Sequence, residues 1–143
     1  MIPDDQACGA LTFMVRKVWL AMRASIGEEL KAFGLTTSQY ATLMMTAGNP
    51  GMSVADIARE VGSTRQAANE MLGGLEKEGL IERHPHPTDR RTHRIQLTPA
   101  GLERFAQARI AVDRRETELE ANFPDEQRAA IRGWLVGMAE ACR

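Results

Sequence analysis

Aromatic residues are scarce in this chain: two Trp, one Tyr and four Phe among 143 residues. Cysteine is scarcer still. Cys8 and Cys142 lie near opposite ends, without the short spacing of a metal-ligand pair, so they read as free thiols in a reducing compartment. Net charge is missing too, with 18 Lys and Arg against 19 Asp and Glu. No apolar run approaches the roughly 20 residues that cross a bilayer, and "MIPDDQACGA" lacks the basic start and apolar core of a signal peptide. The expectation is a cytoplasmic protein with no membrane partner. No internal repeat, low-complexity tract or long linker is visible, and the length suits one domain or two tightly joined halves. The lone Tyr, the scattered acids and three clustered histidines assemble no nucleophile with its base. The chain therefore reads as a non-enzyme without a cofactor.

What is present is helix periodicity. Leu11, Val15, Val18, Met22, Ile26, Leu30 and Phe33 recur at spacings of three and four. They predict one helix over 8–33, roughly 38 Å long at about 1.5 Å per residue, ended by Gly34. Three shorter helices follow near 37–47, 54–60 and 64–78. Their starts, "TTSQ", "SVAD" and "STRQ", each fit a capping box, in which a Ser or Thr accepts from the third backbone N–H and a later acid or amide reaches back. Thr98-Pro99 opens a long helix to about 120 carrying Leu102, Phe105, Val112 and Leu119. Pro124 opens a last helix with Ile131, Leu135, Met138 and Cys142 as its stripe.

The centre breaks the period. In "LIERHPHPTDRRTHRIQLT", Pro85 and Pro87 forbid a helix. "LIER" and "HRIQL" read as two strands, with "HPHPTDRRT" as the loop of a hairpin. The segment holds every histidine of the chain, and two chemistries compete for it. His84, His86 and His93 with Asp89 could form a zinc set, because His84 and His86 would share one face of a strand. Alternatively, the arginines serve phosphate. Residues 53–94 balance seven bases against seven acids, yet Arg83 to Arg94 holds four arginines against one Asp. Screening confines charge to about 10 Å in ordinary salt, so this basic tip acts locally.

The two helices before the hairpin are joined only by "EVGS", which is helix-turn-helix spacing. The second begins Thr64, Arg65, Gln66, with Asn69 one turn on and Ser63 just before. Arg suits guanine, Gln or Asn suits adenine, and Thr or Ala methyl groups suit thymine. A helix-turn-helix followed by a hairpin with arginines at its tip is a winged helix, whose tip can enter the minor groove. The fold class expected is mostly α (α+β).

"MSVADIAREVGSTRQAANEMLGGLEKEGLIERHPHPTDRRTHRIQLTPAG" resembles the winged-helix core of the MarR (multiple antibiotic resistance regulator) family, most strongly in "LEKEGLIER", "PTDRR" and "IQLTPAG". The resemblance implies a homodimeric repressor that binds a palindromic operator in double-stranded DNA. The helical flanks, 1–35 and 99–143, would interlock with a second copy, and 36–98 would bind DNA. Asp89 and Arg91 match the family's wing pattern, with Arg91 in the minor groove, Asp89 holding it in pose and Arg90 toward phosphate. Ser63, Thr64, Arg65, Gln66 and Asn69 fall on the base-reading helix. Family members bind small aromatic or phenolic effectors, and Trp19, Met22, Tyr40 and Met44 are the candidates to line such a crevice. One branch senses hydroperoxides through a Cys in the first helix. Cys8 stands about one turn too early for that role. The chain also departs from the family at Glu70, which repels phosphate, and at Gly73 and Gly74, which weaken a helix by about 1 kcal/mol each.

Overall fold

In the computed structural model, which describes residues 9–89 and 91–143, six helices enclose a small sheet. Helix α1 spans Leu11–Leu30 and passes into a 3₁₀ turn at Lys31–Phe33. The predicted single helix over 8–33 is therefore shorter, and its last turn is tighter. Gly34 at φ 66° reverses the chain, and the Leu35 N–H donates to the Leu30 carbonyl at 3.2 Å. That closes carbonyls the helix end leaves open.

Helix α2 (Thr37–Gly48) starts on Thr36, with both bonds of the capping box to Gln39 in place. Helix α3 (Val54–Val61) starts the same way on Ser53 and Asp56. The third expected box does not form. Helix α4 (Arg65–Lys77) is capped by Thr64, whose hydroxyl accepts from Ala67 N–H at 3.1 Å, and not by Ser63. The reason lies in the preceding turn. Gly62 sits at φ 68° and Ser63 N–H closes onto Ala58 O at 2.9 Å, so Ser63 belongs to the end of α3. With the cap moved to Thr64, the residue that would reach back is Ala67, which has no polar group.

The sheet holds one strand more than the hairpin. Met52–Ser53 (β1) pairs antiparallel with His93–Leu97 (β3), which pairs with Ile81–Pro85 (β2), in the order β1-β3-β2. His84 and Pro85, expected in the loop, instead continue β2 opposite Arg94 and His93. Because β2 lies at the sheet edge, Pro85's missing N–H breaks no ladder. Helix α5 (Pro99–Glu120) follows on a Thr98 cap, with Pro99 in the first turn as predicted, and α6 (Asp125–Ala141) follows on Pro124.

Leu30, Leu43, Ile57, Leu72, Leu75, Leu80, Ile81 and Ile95 are fully buried, joined by Phe105, Ala108 and Val112 of α5. Each such aliphatic side chain contributes about 1.5–3 kcal/mol by leaving water. Within this core α2 packs on α3, α4, β3 and α5, and that fixes where α4 and the hairpin stand. The stripes predicted for the outer helices are different: Leu11, Val15, Val18, Met22, Ile131 and Leu135 are exposed. Among the described residues no helix is long and apolar enough to cross a membrane.

Candidate nucleic-acid interface

Helices α3 and α4 pack on each other across a three-residue turn, Gly62 to Thr64, with small side chains, Ala58 and Ala68, both buried. That close approach aims the start of α4 outward. Ser63, Thr64, Arg65, Gln66 and Asn69 are all exposed there. The unpaired N–H groups of a helix start attract anions, and Thr64 satisfies only one of them.

The tip of the wing is built by its own side chains. Asp89 accepts from the Arg91 backbone N–H at 3.0 Å and from the Thr92 hydroxyl at 3.1 Å. Its backbone carbonyl accepts from Thr92 N–H at 3.2 Å. The Arg91 N–H, followed by the Thr92 hydroxyl, holds the Asp89 carboxyl below its usual range. Asp89 thus grips Arg91 by its main chain and leaves the guanidinium out of the bond. Arg90, the third predicted wing residue, lies outside the described residues, as does Cys8.

The histidines serve the wing's frame. His86 Nδ1 accepts from the N–H groups of Thr88 (3.2 Å) and Asp89 (3.1 Å), so that nitrogen carries a lone pair pointed into the turn. His84 Nε2 lies 3.1 Å from Glu82, along the strand. His93 stands opposite Pro85. Among the described residues no three of His, Cys, Asp and Glu gather as a metal set.

Helix α4 and the wing share one cleft of about 260 Å³, lined by Arg65 and Asn69 on one side and Arg91, Thr92 and His93 on the other. Val54 and Ala55 of α3 complete it. Two of the predicted cations therefore stand across a single polar cleft, although 26 residues separate them in sequence. Sequence reasoning missed Arg83, which it counted only as local charge. Its guanidinium donates to the Asn69 side-chain oxygen at 2.9 Å and to the Asn69 carbonyl at 3.2 Å. No local pattern marks a pair fourteen residues apart on different elements.

The four residues expected to line an effector crevice do not share one environment. Trp19 and Met22 on α1 and Met44 on α2 are exposed, whereas Tyr40 is buried, at 6% exposure. The Tyr40 ring lies 5.6 Å from that of Phe105, and its hydroxyl has no hydrogen-bond partner among the described residues. Burial, then the charges of Asp113 and Glu116, raise its pKa above the ordinary phenol value. A wider groove of about 400 Å³ runs between α1 and the start of α2, past Leu20, Arg23, Gly27, Glu28 and Lys31, and includes none of the four.

Comparison with known proteins agrees with this fold. The MarR family model matches residues 33–92. A Thauera aromatica protein named for transcriptional regulation of the hcr operon is 30% identical over 128 residues, covering 89% of this chain and 77% of its own. The fold superposes on the transcriptional repressor CouR bound to a 23-mer DNA duplex, with TM-score 0.87, 27% identity and coverage of 97% and 99% of the two chains. It also superposes on a Mycobacterium tuberculosis MarR family protein in complex with salicylic acid, with TM-score 0.76, 25% identity and coverage of 91% and 96%.

Proposed function

Because the chain belongs to the MarR family of DNA-binding transcriptional regulators, we propose that it is a homodimeric repressor of a palindromic operator, released by a small aromatic acid or phenol. Residues 36–98 bind DNA, and the flanks, 1–35 and 99–143, join two copies. The observation that carries this reading is the cleft shared by Arg65 and Asn69 of α4 with Arg91 of the wing. A major-groove helix and a minor-groove wing are thereby held on one face, where two cations and a helix start meet backbone phosphate and base edges together. Ser63, Thr64 and Gln66 complete the reading edge, and Arg90 extends the wing.

The exposed stripes of α1 and α6 support the dimer, since apolar patches of this extent mark interaction surfaces. A dimer in turn suits two half-sites about 34 Å apart. For the effector, the support is the buried Tyr40 hydroxyl, without a partner among the described residues, together with a similar protein solved in complex with salicylic acid. Trp19, Met22 and Met44 are the candidate walls. The protein acts in the cytoplasm, at the DNA.

The test is fluorescence anisotropy on a duplex from the gene's own upstream region, against an unrelated duplex. Arg65→Ala and Arg91→Ala are each expected to weaken the specific complex at least tenfold, about 1.4 kcal/mol, with thermal stability unchanged. Equal binding of both duplexes by the wild-type chain would sink the proposal.

A further inference from the structure

Arg83 lies on β2, whose neighbour in the sheet is β3, and its side chain turns onto α4 instead of the wing tip. It makes three contacts there. One guanidinium nitrogen donates to Asn69 Oδ1 (2.9 Å), another donates to the Asn69 carbonyl (3.2 Å), and Nε stands 3.7 Å from the Glu76 carboxylate. The Arg83 side chain is itself only 20% exposed, while its partners Asn69 and Glu76 stand at the surface.

Two consequences follow from elementary chemistry. Guanidinium has donors and no acceptor, so the Asn69 atom facing it is the oxygen. The amide is thereby turned with its oxygen toward Arg83, its NH₂ is left free of that bond, and Asn69 lines the cleft it shares with Arg91. Adenine recognition by Asn uses both amide atoms at once, the oxygen accepting from N6 and the NH₂ donating to N7. An oxygen that already accepts from Arg83 has one lone pair fewer for adenine N6, while the NH₂ keeps both donors for an acceptor edge, guanine N7 and O6 or thymine O4. Second, the contacts fall on both sides of Gly73 and Gly74. Asn69 is one turn before the pair and Glu76 lies after it, and neither glycine is propped by a close neighbour: nothing would meet a Cβ at Gly73, and only Gln39 Nε2, at 3.5 Å, would meet one at Gly74.

We infer that Arg83 is a specificity-determining positioning residue: it fixes the Asn69 amide to read a hydrogen-bond acceptor, and it splints the recognition helix across Gly73-Gly74. Arg83 does not itself touch DNA in this arrangement. The inference rests on the DNA-binding reading above.

The experiment selects binding sites from a pool of random-sequence DNA duplexes with four chains: wild type, Arg83→Met, Arg83→Lys and Arg83→Met/Gly73→Ala. Circular dichroism checks that each is folded, and Arg83→Lys stands in if the Met variant is not. The wild-type chain is expected to select G or T at the base that Asn69 reads. Arg83→Met should shift that one position toward A and weaken the wild-type site about tenfold. Gly73→Ala should restore part of the affinity and leave the shifted preference in place. If wild type enriches no motif, the DNA-binding reading falls and this inference with it. A wild-type motif kept by Arg83→Met with affinity within twofold overturns the inference alone. So does a uniform loss at unchanged preference that Gly73→Ala fully restores, since Arg83 would then be a brace and nothing more.

Discussion

Ile57 and Leu135 are both apolar residues on amphipathic helices, and they meet opposite surroundings. Ile57 of α3 is fully buried, whereas Leu135 of α6 is 53% exposed. The contrast holds regionally. Among the described residues, every large exposed hydrophobic except Met44 lies outside 36–98, on α1, on α5 and α6, or at the turn between them. The winged-helix unit is satisfied within one chain, and the flanking helices carry an apolar surplus that one chain does not cover. A periodic stripe reports that a helix wants a partner. It does not say whether the partner is in the same molecule.

The sharpest way to break this comparison is to truncate one residue of each kind. Ile57→Ala should destabilise the chain by about 2–5 kcal/mol at any protein concentration, measured by urea unfolding. Leu135→Ala should change the stability of a dissociated chain by no more than about 0.5 kcal/mol. Its effect should appear as a midpoint that depends on concentration and a shift toward monomer in sedimentation. A Leu135→Ala chain that loses stability equally at all concentrations would place Leu135 in an internal core and erase the distinction.

Two glycines probe the same difference from the other side. Gly101, at the start of α5, is where the flank meets the winged helix: a Cβ there would stand 2.0 Å from the Leu80 carbonyl oxygen. The same seam is tied by Thr98, whose hydroxyl donates to the Gly79 carbonyl and accepts from Gly101 N–H. Gly101→Ala should therefore cost about 1–3 kcal/mol, because backbone must move. Gly133 on α6 has nothing within 4 Å of such a Cβ among the described residues. Gly133→Ala should raise stability by up to about 1 kcal/mol through helix propensity alone. Thermal melts of the two variants should move in opposite directions, and parallel shifts would contradict the packing described.

The same division explains what was legible beforehand. Caps, helix-ending glycines and the hairpin are local chemistry, so Thr36, Ser53, Gly34 and Thr98 could be read from neighbouring residues. The cap at Thr64 was misplaced by one residue because "STRQ" fits a box, while the bond that claims Ser63 comes from Ala58, in the preceding helix. Strand β1 was missed because two residues carry no period, and only pairing with β3 defines it. At the site, the residue types at the start of α4 and on the wing were readable from "STRQ" and "TDRR". The grip of Arg83 on Asn69 was not, because it depends on how β2 crosses α4. The expected Tyr40 crevice was the least legible, since the four named residues lie on two helices whose exposed sides end at solvent within one chain.

The smallest effect is electrostatic, and it too separates the regions. In the winged helix, Asp56 accepts from Ser53 N–H at 3.1 Å and pairs with Arg59. The Ser53 backbone bond, then the Ser53 hydroxyl, hold its carboxyl below the ordinary value of 3.8. On α5, Glu116 is half-buried, and burial followed by the charges of Asp113 and Glu120 raise its carboxyl above 4.5, with Arg132 opposing. The signs are opposite. Asp56's contribution is fully present above pH 3.8 and is lost as pH falls through its lower native pKa. Glu116's is fully present below pH 4.5 and is lost as pH rises through its higher native pKa. Asp56→Asn should therefore lower stability at pH 7 and flatten the acid limb of the unfolding profile. Glu116→Gln, which imitates the protonated acid, should raise stability at pH 7, with the gain vanishing near pH 4. Both changes should stay below about 1 kcal/mol, because both carboxylates are partly exposed and solvent screens them. A Glu116→Gln gain that persisted unchanged at pH 4 would have to come from packing. The outer helices would then be relieved of a shape conflict, and the charge of Glu116 would have no part in the difference between the two regions.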